Sequence, residues 1–241
     1  MKRVPVSAFL VVLFLLCAPL LHGEEEKENT AVPSGNPGKA LSAFEKQLRE
    51  AGFADVQEID PTLKVELKYA SMENFMGINV YGDLTRGYLR REAAEKLATA
   101  NRYLKRLHPR LSLLVVDGLR PRHVQRRMWE IVRGTPMQRY IANPHGGSLH
   151  NYGCAVDITI VDELGNRLDM GTPMDHFGIL SQPRYENTFL KEGKLTAQHI
   201  ANRRLLRKVM VAAGFHSIPI EWWHFEAFKK HIVRKRYSII E

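Results

Sequence analysis

The chain has 241 residues, which is enough for one domain of ordinary size and an extension. Its hydrophobic content of 44% and its charged content of 25% are typical of a soluble globular protein. Two cysteines exclude a disulfide framework, and the basic residues behind the formal net charge of +9 form no block with interleaved aromatics of the kind that indicates nucleic-acid binding.

The N-terminal residues 1–23 have the order of a secretory signal peptide. A short basic stretch, MKR, precedes an unbroken apolar run that is short for a stable membrane span, and the small residue Gly23 follows at a position suited to cleavage. A retained anchor is the alternative. A lipoprotein signal at Cys17 is disfavoured, because Leu16 stands where a small residue is required. We therefore expect a periplasmic or secreted protein.

Residues 24–40 are polar and rich in Pro, Gly and Asn, which predicts a flexible linker before a domain over 41–241. An exported basic domain could associate loosely with anionic cell-wall polymer. A solvated basic surface explains the same charge equally well. No pattern in the chain predicts an oligomeric state.

Within the domain, the spacing of apolar residues predicts helices and strands in uneven alternation. In chain order these are a helix over 41–52, a strand over 63–69, a helix over 90–108, a strand over 111–117, a helix from Pro121 to about Val132, a strand over 153–160, an irregular region over 162–195, a helix from Thr196 or Gln198 to Gly214, and a short β-like segment over 217–228. The connections are too uneven for a doubly wound parallel sheet, so we predict an α+β fold.

The strand over 153–160 carries a carboxylate on one face. Cys154, Val156, Ile158 and Ile160 alternate as its apolar face, so Asp157 points the other way. We expect Asp157 to face a space left open by the small residues around it, Gly153 and Ala155. His150 lies just upstream, in a loop that the sequence HGGS makes easy to bend, so its side chain can reach the same place.

A third candidate metal ligand is His224 in the stretch EWWHFE, where it follows Glu221 by three residues. Catalytic zinc commonly has three protein ligands and an open position, with a carboxylate nearby that takes a proton. Each residue also has an ordinary explanation. A histidine is often only hydrogen-bonded, Asp157 could cap a helix or pair with a basic residue, and Glu221 could be an interface acid.

Two motifs together resemble a known family. The pattern S-x-H-x-x-G-x-A-x-D over 148–157, followed by E-x-x-H over 221–224, resembles the zinc D-Ala-D-Ala peptidases, whose fold is shared with the LD-carboxypeptidases and the hedgehog signalling domain. The stretches LKYASMENFMG, YLRREAAEKL, DGLRP and DMGTPMD are similar to the D-alanyl-D-alanine dipeptidase branch. The resemblance spans about residues 55 to 230. It implies a single hedgehog/DD-peptidase-like domain with a central, mainly antiparallel sheet flanked by helices.

The resemblance also implies a role for each matching residue. One Zn²⁺ would be held by three ligands, His150, Asp157 and His224. Glu221 would be the general base and then the acid, and Arg120 would stabilise the oxyanion. Asp175 would bind the amino end of the substrate, assisted by Ser148. Cobalt or iron could occupy the same ligand set.

The implied function is a zinc dipeptidase that hydrolyses D-Ala-D-Ala and related small D,D-dipeptides in cell-wall peptide turnover. Members of this branch that act before wall assembly are cytoplasmic, so an exported chain departs from them and a role in antibiotic resistance is disfavoured. Two alternatives stay open. One is a peptidoglycan D,D- or L,D-carboxypeptidase of the same metal class, and the other is a non-catalytic zinc-bearing binding module.

Overall fold

The computed structural model describes residues 40–241, which belong to one compact unit. The predicted signal peptide over 1–23 and all but the last residue of the predicted linker over 24–40 lie outside the described residues, so both stay predictions. Over residues 40–241, no helix has both the length and the apolarity needed to cross a membrane.

Residues 40–241 form seven α-helices and seven β-strands. The helices are α1 (Ala43–Glu50), α2 (Val56–Ile59), α3 (Arg91–Leu107), α4 (Arg122–Val132), α5 (Glu186–Lys191), α6 (Ala197–Ala212) and α7 (Lys230–Arg236). The strands are β1 (Phe53–Asp55), β2 (Lys64–Val65), β3 (Tyr88–Arg90), β4 (Ser112–Asp117), β5 (Ala155–Val161), β6 (His216–Ser217) and β7 (His224–Glu226).

The larger sheet has five strands in the order β2-β4-β5-β7-β6. Strand β2 runs parallel to β4, and the other three pairs are antiparallel. Strands β1 and β3 form a separate antiparallel pair. The α+β class and the mainly antiparallel central sheet predicted from the sequence are therefore confirmed.

Strand β5 is the centre of this sheet and is buried along its whole length. Helix α3 packs against β4 and α6, and its core-facing side includes Leu97 and Leu104. Helix α6 begins where Thr196 accepts a hydrogen bond from the His199 backbone N–H, which is a favourable N-cap. Any polar group on β5 is therefore withdrawn from water and requires a partner inside the protein.

Several element boundaries differ from the predicted ones. The strand predicted over 63–69 ends at Val65, because the backbone at Tyr69 turns to accept hydrogen bonds from Val80 and Tyr81. Arg90, the first residue of the helix predicted over 90–108, belongs instead to β3, which pairs with β1, and the helix begins at Arg91. Helices α5 and α7 were not predicted, since both are short and are ordered by tertiary contacts.

Gly153, the residue before the turn into β5, has a different role from the expected one. Its φ is +66°, and a Cβ atom built there would lie 2.5 Å from Cε1 of Phe53. Phe53 in β1 therefore fills the place beside Gly153 that the sequence suggested was open. Asp157 does line a cavity, but Gly153 does not help to form it; the glycine instead permits a positive φ and a close ring contact.

We expect Gly153→Ala to lower the free energy of unfolding more than Gly193→Ala. Both glycines have a φ near +66°, so both substitutions incur a left-handed backbone penalty of about 1–2 kcal/mol. No atom lies within 4 Å of a Cβ at Gly193, whereas Gly153→Ala adds the clash with Phe53, about 1–3 kcal/mol more. Urea unfolding measures both, and equal midpoints for the two variants would contradict the packing role of Gly153.

Candidate active site

Strand register brings three polar side chains together in the middle of the sheet. Asp157 of β5 is directly opposite Asp117 of β4 on one side and His224 of β7 on the other. The register between β4 and β5 shifts between Val115 and Asp117, so the pairing with Asp117 follows an irregularity in the ladder. All three side chains are buried.

His150 joins them from a 3₁₀ helix over Leu149–Tyr152 that is capped by Ser148. Its Nδ1 lies 2.7 Å from the carbonyl oxygen of Gly118, so Nδ1–H donates to that carbonyl. The other ring nitrogen, Nε2, faces the cluster, and in a neutral imidazole it is the nitrogen left free to bind a metal ion. Fixing a histidine tautomer through a backbone carbonyl is the usual arrangement around metal-ligating histidines.

Three ligand atoms form a compact triangle. His150 Nε2 lies 3.3 Å from Asp157 Oδ1 and 3.1 Å from His224 Nδ1, and His224 Nδ1 lies 2.9 Å from Asp157 Oδ1. Ligands about 2.0–2.1 Å from a tetrahedral zinc would be roughly 3.3 Å apart. The structure thus brings the three predicted ligands together, and the cluster could hold a metal ion.

Burial and neighbouring histidines act in opposite directions on Asp157. Burial raises the pKa of its carboxyl, but the charge of His150 and the hydrogen bonds from His150 and His224 hold that pKa well below its usual range. The carboxylate is therefore ionised at neutral pH. Metal binding requires this ionised carboxylate, and it requires the two imidazole rings in their neutral form.

Glu221 lines the same cavity from the loop before β7. Burial penalises its charge and raises the pKa of its carboxyl to about 7; His224 opposes this shift, and Asp157 adds to it. A carboxyl with a pKa near the working pH can both accept and release a proton. The family resemblance implied the proton-transfer role of Glu221, but nothing in the sequence predicted that its pKa would be raised.

Arg120 follows β4 and is held in a buried ion pair. Its Nε donates to Asp117 Oδ2 at 2.9 Å, its Nη2 donates to the same oxygen, and its Nη1 donates to Gln125 Oε1 at 3.0 Å. Burial opposes the charge on Arg120, but Asp117 raises the guanidinium pKa well above its usual value. Nη2 also lies 3.6 Å from Asp157 Oδ2. Arg120 is thus a fixed cation at the cavity wall.

Asp175 lies at another part of the cavity wall. Its backbone has a φ of +59°, which is uncommon for a residue other than glycine. The Tyr69 hydroxyl donates to its Oδ2 at 3.0 Å, and Lys68 Nζ lies 3.6 Å from the same oxygen. Burial raises the pKa of the carboxyl, and Lys68 lowers it. Tyr69 is therefore part of the cavity wall, and its hydroxyl orients Asp175.

Ser148, the last predicted site residue, lines the cavity and has a structural role as well. Its hydroxyl oxygen accepts a hydrogen bond from the His150 backbone N–H at 3.3 Å. A hydroxyl that accepts one bond still has its own O–H to donate to a ligand. The cap fixes the loop that carries His150.

Sequence reasoning missed two residues that position the others. Asp117 anchors Arg120, and its place just before GLRP at the end of a predicted strand was a usable signal. Asn151 donates from Nδ2 to the Arg120 carbonyl oxygen and accepts at Oδ1 from the Ser148 N–H, both at 2.7 Å. Its carbonyl oxygen also accepts from the Ile240 N–H. No local pattern distinguishes Asn151 from any other asparagine.

The cavity is small and has an aromatic side. Its volume is about 210 Å³, below the range of about 300–1,000 Å³ that holds drug-sized ligands. Tyr69 contacts Phe75, which contacts Phe177, and the Phe177 ring stacks on Tyr140 with centroids 5.6 Å apart. The cavity therefore suits a small molecule, with rings packed beside Asp175.

Comparisons with known proteins agree with this geometry. The model of the peptidase M15 family, described as D-Ala-D-Ala dipeptidase, matches residues 49–240. A D-alanyl-D-alanine dipeptidase of Escherichia coli is 33% identical over 72% of this chain and 83% of its own length. A D-alanyl-D-alanine dipeptidase of a Synechocystis species is 32% identical over 57% of this chain and 68% of its own length. One of Enterococcus faecium is 26% identical over 73% of this chain and 91% of its own length.

The fold, the cavity and these matches define a peptidase. Within that class, the chain belongs to the D-Ala-D-Ala dipeptidase family. The resemblance inferred from the sequence motifs and the prediction of a peptidase are confirmed.

We expect single substitutions in the His/Asp/His cluster to remove metal binding. His150→Ala, Asp157→Ala and His224→Ala should each lower the affinity for Zn²⁺ by roughly a hundredfold or more, because each removes one of three ligand atoms. Competition with a chromophoric chelator measures the affinity. His145→Ala, at an exposed histidine five residues before His150, is the matched control and should bind as the unmodified chain does. Unchanged affinity in the three cluster variants would refute the ligand assignment.

We expect Asp117→Ala to lower the free energy of unfolding by about 3–5 kcal/mol, because it leaves the buried Arg120 without its carboxylate. Breaking the exposed pair between Arg110 and Glu163 with Glu163→Ala should change it by less than about 1 kcal/mol. Chemical denaturation followed by circular dichroism compares them. Similar small losses in both variants would show that the Arg120 pair is not a buried anchor.

Proposed function

We propose that this chain is an exported, zinc-dependent dipeptidase that hydrolyses D-Ala-D-Ala and related D,D-dipeptides during cell-wall peptide turnover. The observation that carries the proposal is the convergence, in one small cavity, of a His/Asp/His cluster with an acid of near-neutral pKa. Membership in the D-Ala-D-Ala dipeptidase family supports the dipeptidase activity itself.

Zinc is the metal we propose for the cluster, held by His150 Nε2, Asp157 Oδ1 and His224 Nδ1. The spacing of these atoms and the mixed nitrogen and oxygen donor set support this assignment. Bound zinc would supply Lewis acidity, which polarises a carbonyl group and makes water a stronger acid.

Glu221 is the group that we propose moves the proton. As a carboxylate it takes a proton from the attacking water, and as a carboxylic acid it returns that proton to the departing amine. Both roles need a pKa near the working pH, and the burial that raises the pKa of Glu221 to about 7 supplies it. Such positioned proton transfer typically contributes a factor of about 10²–10⁴ in rate.

Arg120 is the donor that we propose for the oxyanion. A guanidinium has five N–H groups, and Asp117 and Gln125 engage three of them on Arg120. Nη2 also lies 3.6 Å from Asp157 Oδ2, so the guanidinium is directed toward the cluster, where it would meet the negative charge that develops on the peptide oxygen. Because Asp117 fixes the guanidinium before the substrate arrives, little reorganisation is needed in the transition state.

The cavity wall supports specificity for a short substrate. We propose that Asp175 accepts hydrogen bonds from the free ammonium group of the dipeptide, and that the Ser148 hydroxyl donates to the substrate from the other side. Asp175 is buried and already oriented by Tyr69, so a longer peptide would bury an uncharged amide against a carboxylate. This favours dipeptides over chains extended at the amino end.

Export and a role in wall turnover rest on the sequence of residues 1–23. An enzyme outside the cytoplasm meets dipeptides released from the wall, rather than the precursor pool. We also propose loose association with anionic wall polymer, which is supported by the formal net charge: it is +9 for the full sequence and +7 once Lys2 and Arg3 are removed with residues 1–23.

The test is hydrolysis of D-Ala-D-Ala by the purified chain without residues 1–23, with and without a chelator. We expect turnover that the chelator abolishes and added Zn²⁺ restores, with much slower cleavage of L-Ala-L-Ala. Glu221→Gln should lower kcat by about 10²–10⁴. Cleavage of N-acetyl-D-Ala-D-Ala at a comparable rate would instead indicate a carboxypeptidase, and zinc binding without turnover of any substrate would indicate a binding module.

A further inference from the structure

The cavity is lined by three long basic side chains, which differ in how they are engaged. Arg120 is paired with Asp117 and Gln125. Arg139 donates from Nε to the Pro136 carbonyl oxygen and lies over the Tyr140 ring. Lys230 is exposed and has no hydrogen bond or ion pair within residues 40–241. Arg139 also lacks a carboxylate partner within those residues, but the Pro136 carbonyl oxygen and the Tyr140 ring engage it, so Lys230 is the one of the three cations with no such contact.

Lys230 and Asp175 come from different sides of the cavity. Asp175 is next to Lys68 and Tyr69 and is flanked by the stacked rings of Phe177 and Tyr140. Lys230 is the first residue of α7, and α7 packs against the 3₁₀ helix over Leu149–Tyr152 that carries His150. In the sheet, β5 with Asp157 stands between β2, the strand before Tyr69, and β7, the strand before Lys230. The strand order therefore places the carboxylate of Asp175, held by Tyr69, and the ammonium group of Lys230 on opposite sides of the His/Asp/His cluster.

A free dipeptide has the matching distribution of charge. It carries an ammonium group at one end and a carboxylate at the other, with the scissile bond between them. If the ammonium group binds at Asp175, the carboxylate reaches past the cluster toward α7. Glu226 also lines the cavity, and its Oε1 lies 4.0 Å from His224 Nε2, so an unaided carboxylate would meet a like charge there.

We propose that Lys230 binds the carboxylate of the dipeptide and thereby sets the preference for substrates with a free C-terminus. The inference rests on the proposed dipeptidase function and names a further specificity-determining residue for it. A lysine on a flexible stem acts as a point charge that follows a small mobile carboxylate, and it needs no fixed fork geometry. Its neighbour Lys229 is equally exposed and does not line the cavity, so it is the matched control.

The experiment measures both binding and turnover. Binding of D-Ala-D-Ala and of its C-terminal amide is followed by calorimetry in the zinc-loaded Glu221→Gln background, where catalysis is suppressed. Steady-state kinetics of the same pair are measured with Glu221 intact. Each assay compares the unmodified residue with Lys230→Met, Lys230→Arg and Lys229→Met.

We expect Lys230→Met to weaken binding of the free dipeptide by about tenfold, the usual size of one hydrogen bond to a charged group. KM should rise by a similar factor with kcat nearly unchanged. Binding of the amide should stay the same, Lys230→Arg should restore most of the loss, and Lys229→Met should have no effect. A purely structural role for Lys230 would weaken binding of the dipeptide and the amide alike.

Two results would overturn the proposal: an equal loss for dipeptide and amide, or no loss for either. Absence of any dipeptide binding to the zinc-loaded chain would also overturn it. If the chain binds the dipeptide with the expected dependence on Lys230 but does not hydrolyse it, the role of Lys230 stands and the proposed catalytic function fails.

Discussion

The site depends on a lateral row of buried polar groups in the middle of the sheet. Asp117, Asp157 and His224 stand side by side on β4, β5 and β7, and all three are buried, with Asp157 and His224 at the wall of the cavity. Carboxylates in such a place are tolerated only when they are paired. Asp117 is paired with Arg120, and Asp157 is paired with His150 and His224. The same pairs that offset the desolvation cost of the buried carboxylates therefore bring the groups of the site together.

The same contacts therefore serve stability and chemistry. Asp117 fixes Arg120, the Gly118 carbonyl fixes the tautomer of His150, and Asn151 ties the backbones of the Arg120 and Ser148 segments together. The links from Gly118 to His150 and from Arg120 to Asn151 join positions 32 and 31 residues apart in the chain, whereas Asp117–Arg120 and Ser148–Asn151 are local. Rigid support of this kind holds the groups at a cavity without requiring the substrate to organise them.

Sequence alone predicted much of this arrangement, and the remainder has physical reasons. The alternation along β5 correctly placed Asp157 off the apolar face, because successive side chains of a strand point to opposite faces of the sheet. The space beside Gly153 was misjudged, since it is decided by Phe53 from a distant strand. Asn151 and helix α7 carry no local pattern, and their roles arise from contacts that a linear pattern cannot contain.

The order of the strands has a consequence for when the protein becomes active. His224 follows Asp157 by 67 residues, and β7 must pair with β5 before the third member of the His/Asp/His cluster reaches the other two. A chain that has emerged from the ribosome only through β5 contains His150 and Asp157 but neither Glu221 nor His224. Vectorial synthesis thus separates the appearance of the first two members of the cluster from that of the third, and a partly made chain lacks the complete cluster.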